Sequence, residues 1–219
     1  MLINALLVAH VIVVGYWLGS DLVINSTFRY VSRAASMPFE ERDRLLDHVM
    51  DVDQHVRYAM ILQLGLGTAL AALLGYLPGG MTLAAAAAVA AIAWLALVEF
   101  THRLRKQPVG YSLARIDRMI RYTAILVALS LAAAGLAGYY NLAGWLSFKL
   151  MLLAGAMLSG LGIRLELIRY FRVWQEIRTE GSSVARESAL RRRYTSATSV
   201  LAVLWLFVSG IVALSLLKP

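Results

Sequence analysis

The chain has 219 residues, of which 60% are hydrophobic and 16% charged, with a formal net charge of +8. A soluble domain is about half apolar and about a quarter charged, so this composition excludes both a water-soluble globular domain and a disordered chain. The absence of Cys removes disulfides, thiol nucleophiles, Cys-ligated zinc and iron–sulfur clusters.

A helix needs roughly 20 apolar residues to cross a bilayer core. Six windows reach that length: 2–23, 56–77, 81–100, 120–139, 142–163 and 196–217. Period-two alternation is absent, which argues against a barrel, and hydrocarbon demands that backbone groups be satisfied internally. The sequence therefore predicts an all-α polytopic bundle of six transmembrane helices, read as one integral membrane domain.

The first window, 2–23, has no basic region before it and no A-x-A-like site after it, so it is expected to be a retained span. Residues 24–55 are charged. Ser36-Met37-Pro38 is a plausible helix start, and Leu45, Leu46, Val49, Val52 and Val56 recur at helical spacing. That pattern predicts an amphipathic helix running along the membrane surface and turning into the second span. Pro78-Gly79-Gly80 is a tight turn into the third span, which is nearly poly-alanine from Ala84 to Ala91. Residues 101–119 are again charged. Tyr139-Tyr140-Asn141 separates the fourth and fifth spans. Residues 164–180 should prolong the fifth span beyond the membrane, and Gly181-Ser182-Ser183 should break that extension before the sixth.

Nineteen of the 21 Lys and Arg residues fall in or beside 24–55, 101–119 and 164–195. The positive-inside rule places those segments in the cytoplasm of a bacterial-type inner membrane, with both termini outside. Topology thus accounts for the basic excess, and no nucleic-acid partner is expected. Arg191-Arg192-Arg193 is also suited to anionic head groups.

Ionisable residues at membrane depth are costly and are functional candidates by default. His10 and Lys149 both lie about 10–12 Å below the outer end of their spans by helical rise. With Trp145 and Phe148 beside Lys149, the two are expected to share a buried guest. The plainer alternative is a snorkelling Lys and a core His bonded to a carbonyl. His is the usual axial ligand of haem iron, so His10 is the first candidate for one. His55 opens the second span and His102 closes the third, which makes a second possible metal or haem pair. His48, Asp51 and His55 stand at i, i+3 and i+7 and could offer a metal-binding face. Asp21 and Glu99, near the inner ends of their spans, pair with Arg29, Arg57 or Arg103, or carry protons.

Three stretches resemble a known family. They are His10-Val-Ile-Val-Val-Gly-Tyr-Trp17-Leu-Gly19, Val56-Arg57-Tyr58-Ala59-Met60-Ile61-Leu62 and Gly144-Trp145-Leu146-Ser147-Phe148-Lys149-Leu150-Met151-Leu152. Together they are similar to the HemJ-type protoporphyrinogen IX oxidases and the related CopD-like membrane proteins. The resemblance implies haem b on His10, an essential Lys at Lys149, Trp17 beside the cofactor, and electrons passing towards quinone from a porphyrin-like small molecule. The family's basic, His-containing end of its first helix reads Ser20 to Tyr30 here, and this chain has more spans. A non-enzymatic CopD-like module, handling a metal or serving as a subunit of an oligomer or larger membrane complex, is the alternative.

Overall fold

The computed structural model describes residues 1–217. Among them the chain forms six helices and no strand: α1 (Leu2–Arg33), α2 (Phe39–Leu73), α3 (Gly80–Arg103), α4 (Pro108–Leu136), α5 (Gly144–Glu180) and α6 (Val184–Leu217). All six are long and apolar enough to cross a membrane.

The helices run past the apolar windows wherever no residue stops them. α5 has 37 residues, about 55 Å of helix against a hydrocarbon core of about 30 Å. α2 is continuous from Phe39, so the expected surface helix and the second span are one helix with no break in secondary structure between them. The windows overshoot at some ends for a stereochemical reason. α2 stops at Leu73 because Gly75 takes a left-handed backbone (φ 77°), and Gly138 (φ 75°) closes off α4 in the same way. Much of the charged stretch 101–119 is helix too, since Pro108 is suited to the first position of α4. The predicted break at 181–183 is present, and the Ser183 hydroxyl accepts the Arg186 N–H at 3.3 Å to cap α6.

The chain divides into two compact units. The first contains Met1–Asp21, Val52–Ala124 and Asn141–Ala143; the second contains Leu22–Asp51, Ile125–Tyr140 and the described residues from Gly144 onward. In the first unit, α2 and α3 meet through small side chains. A Cβ on Gly65 would lie 2.6 Å from the Cβ of Ala91, so only Gly allows that approach. Ala69, Ala72 and Ala84 continue the contact. One turn beyond Ala91 along α3, Trp94 donates to Asp117 at 2.8 Å, and Arg121 binds the same carboxylate at 2.9 Å.

In the second unit, α5 and α6 interlock where Gly155 faces the Phe207 ring and Gly210 faces Leu152. Beyond the apolar windows the helix ends build a core of their own, from Phe28, Val31, Leu46, Val49, Tyr170, Trp174, Ile177 and Leu190. At its centre Arg42, 1% exposed, holds Glu187 through two hydrogen bonds of 2.8 and 3.0 Å. Arg42 also reaches the Val31 carbonyl at 3.2 Å and lies over the Trp174 ring. Trp174 in turn donates to Asp43 at 2.9 Å, and Arg178 pairs with the same carboxylate. Burial pushes the Tyr170 phenol up to about 12, so it stays neutral in its 3.0 Å hydrogen bond with Ser32.

Burial alone would raise the Glu187 carboxyl, but the hydrogen bonds from Arg42 and Ser182 and the nearby guanidinium charges outweigh it and hold it below the usual range. A depressed folded value means stability that is present above about pH 4.3 and is lost as pH falls through the folded value. Arg42→Ala should therefore cost about 3–5 kcal/mol at neutral pH, because it strands a buried carboxylate. The difference from wild type should narrow as pH falls from about 4.3 through the depressed folded value of Glu187. Unfolding followed by tryptophan fluorescence in detergent reads both effects; a gap that does not change with acidification contradicts the assignment.

Candidate functional site

The functional candidates of the first unit start from α1. His10, Trp17 and Asp21 are seven and four residues apart, so they form one stripe of the helix. Trp17 and Asp21 are each 6% exposed and His10 is half-buried, so this is the inward stripe.

α2 seats His10 with two residues one turn apart. Gln63 donates its side-chain amide to the His10 carbonyl at 2.8 Å. Gly67 lies against the imidazole: a Cβ there would come within 3.3 Å of Cε1 and 3.9 Å of Nε2. The ring thus rests on bare backbone. Further along the stripe, the Trp17 indole N–H is buried and has no hydrogen-bond partner among the described residues. A buried donor without an acceptor costs about 1–3 kcal/mol, and a bound acceptor group would relieve that cost.

Of what haem b would need, an imidazole for its iron and a donor for a carboxylate, His10 and Trp17 are of the right chemistry, while the room at Gly67 is taken by the His10 ring itself.

A second set of polar side chains links α1, α2 and α3. The Tyr16 hydroxyl is hydrogen-bonded to Nδ1 of His55, with the rings edge-on and 5.9 Å apart. His55 is 6.0 Å from the Tyr58 ring, also edge-on. Tyr58 donates to Glu99, and Arg103 pairs with the same carboxylate. Phenols, imidazole and carboxylate all exchange protons along hydrogen bonds, so Tyr16–His55 between α1 and α2 and Tyr58–Glu99 between α2 and α3 are each suited to proton exchange.

The expected ion pair of Glu99 with Arg103 is therefore present, whereas Arg57 pairs with Asp53 at 2.9 Å. Asp21 is buried. His55 turns to Tyr16, and His102 lies one turn beyond Glu99 on α3. His48 is exposed and belongs to the second unit. Among the described residues no group of three or more His, Asp or Glu is placed to hold a metal ion, so the expected face of His48, Asp51 and His55 is not such a group.

Lys149 belongs to the second unit, on the early turns of α5 with Trp145, and both are half-buried. Phe148 is 53% exposed and faces away from the protein, so it does not wall the Lys in. Between them the buried Ser147 hydroxyl has no hydrogen-bond partner among the described residues.

Sequence reasoning missed Tyr16, Tyr58, Gln63 and Gly67. Gln63 carried a usable signal, being an amide in the middle of an apolar window. The other three look like ordinary span residues. Two glycines of α1 give a control for Gly67, because a Cβ on Gly15 or Gly19 would meet nothing within 4 Å. Gly67→Val should destabilise by roughly 1–3 kcal/mol through overpacking against His10. Gly15→Ala should be neutral or stabilising by up to about 1 kcal/mol. Thermal unfolding in detergent checks the contrast, and equal behaviour of the two variants would contradict the seating of His10.

No protein-family model, no curated protein and no solved structure matches the chain, so its functional reading rests on its own residues.

Proposed function

We propose that the protein is a haem-b-binding integral membrane oxidoreductase, resembling the HemJ-type enzymes, that passes electrons towards quinone. The observation that carries this reading is the seat of His10: an imidazole in an apolar span, laid on the bare backbone of Gly67 and anchored through its carbonyl by Gln63. The imidazole itself fills the room at Gly67, so that contact fixes where His10 stands, and the buried Trp17 indole N–H on the same stripe, without an acceptor among the described residues, is what asks for a ligand.

In this reading haem b supplies reversible one-electron iron chemistry when bound. His10 holds the iron, and Trp17 offers its indole N–H to an acceptor at the same stripe of α1. Lys149, in the second unit, offers a compact cation to a carboxylate of a porphyrin-like substrate. Oxidation of a carbon- or nitrogen-bound hydrogen releases a proton with each electron, so a carrier of protons is needed. Tyr16 and His55 exchange one across their hydrogen bond, and Glu99 accepts from Tyr58 while Arg103 stabilises its charge. Asp21 is the further carboxylate able to take part. The membrane is a bacterial-type inner membrane, with the charged segments 24–55, 101–119 and 164–195 in the cytoplasm, which the distribution of 19 of the 21 Lys and Arg residues supports.

The test is the visible spectrum of full-length protein purified from haem-replete cells. Wild type should show a Soret band. His10→Ala should lose it while eluting as the wild type does in size exclusion, and His48→Ala should keep it. A colourless wild type, or a His10→Ala protein with an unchanged band, overturns the reading.

A further inference from the structure

The prolongation of α1 beyond its apolar window carries a groove that the oxidoreductase reading does not use. Ser26, Arg29, Tyr30, Arg33 and Ala34 line it; it is shallow and open, with a volume of about 420 Å³. Arg29 and Arg33 are one turn apart on the same face, and both are exposed. Among the described residues neither is in an ion pair, whereas Arg42, Arg57, Arg121 and Arg178 each hold a carboxylate. Two like charges at this spacing repel, and an anion shared between them reverses the sign of that term. The lining offers guanidinium and hydroxyl donors and no carboxylate. The C-terminal end of a helix is itself partly negative, so the two fixed cations, and not the backbone, must supply the attraction.

Depth selects the anion. Ser26, Arg29 and Arg33 lie about 5, 9 and 15 Å past Val23 by helical rise. Side chains on a helix lean towards its N-terminus, which for α1 is the membrane side, so both guanidiniums reach back towards the bilayer. The polar layer adds roughly 5–7 Å to each side of the hydrocarbon core. Tyr30, 57% exposed, is an amphipathic ring of the kind found at that level. We propose that this groove holds the phosphate of an anionic membrane phospholipid, with Arg29 and Arg33 as its forked donors and Ser26 and Tyr30 completing the contact.

The test titrates delipidated full-length protein in detergent with short-chain phosphatidylglycerol, phosphatidylcholine and inorganic phosphate, followed by calorimetry. Phosphatidylglycerol should bind saturably and more tightly than either of the others. The double variant Arg29→Gln/Arg33→Gln should weaken it by about tenfold or more, since each change removes charge-assisted hydrogen bonds. Arg29→Lys/Arg33→Lys, which keeps charge but loses the fork, should fall between. All these residues are exposed, so the thermal midpoint should stay at the wild-type value. Arg115→Gln/Arg172→Gln removes the same charge elsewhere, at two exposed arginines the site does not use, and should leave binding unchanged. Equal loss in that control reduces the effect to bulk charge and overturns the site. Inorganic phosphate binding as tightly as the lipid overturns the membrane source. Unchanged binding in Arg29→Gln/Arg33→Gln overturns the proposal outright.

Discussion

Hydrocarbon gives a polar group no second chance at a partner. Water is absent, so every donor and acceptor at membrane depth is satisfied within the protein, satisfied by a ligand, or left at a cost of a few kcal/mol. Helices meet this demand for the backbone. Their hydroxyls meet it locally: Thr101, Ser159 and Ser215 each donate to the carbonyl four residues back, at 2.7, 2.9 and 2.7 Å. The longer polar side chains meet it across helices, as Gln63 does with the His10 carbonyl and Trp94 with Asp117. Against that background the buried indole N–H of Trp17 stands out, since nothing among the described residues accepts from it. It lies on the same stripe of α1 as His10, and the two together locate the candidate site.

The arginines divide by what surrounds them. Arg42 is buried, satisfied on every side by Glu187, the Val31 carbonyl and the Trp174 face, and ties together helix ends that leave the apolar windows. Such a pair gains little net stability over a well-packed apolar equivalent, but it tolerates no other arrangement of its helices, because a misplaced partner leaves a charge unpaired. Arg29 and Arg33, exposed and without carboxylates, do none of that work. One residue type thus serves as an internal clamp and as an outward-facing cation, and only burial separates the roles.

Much of the architecture was legible because composition is decisive at this length scale. Six windows of apolar residues can hardly be anything else, and all six became helices. Where those helices end was harder to read, because the endings depend on single backbone conformations at Gly75 and Gly138 and not on hydropathy. The continuity of α2 was missed because a change from amphipathic to apolar patterning resembles a bend, while the backbone has no reason to break there. The Arg42–Glu187 pair was beyond reach: 145 positions separate the partners, and either could have been a surface charge. In the site, His10 and Glu99 were visible as ionisable residues in apolar windows, Arg103 was an expected partner of Glu99, and Trp17 entered only through the family resemblance. His55 was visible too, but its neighbour is Tyr16, a phenol that hydropathy reading counts as one more aromatic. Gly67 had no visible role until the imidazole of His10 was found lying on it.

The central claim is that the first unit holds a haem through His10. The most direct measurement is a pyridine haemochrome assay on the wild-type protein, solubilised from haem-replete cells and quantified against protein concentration. The account predicts the spectrum of haem b at a fixed ratio to the chain. Protein that is folded and helical by circular dichroism yet carries no haem would contradict it.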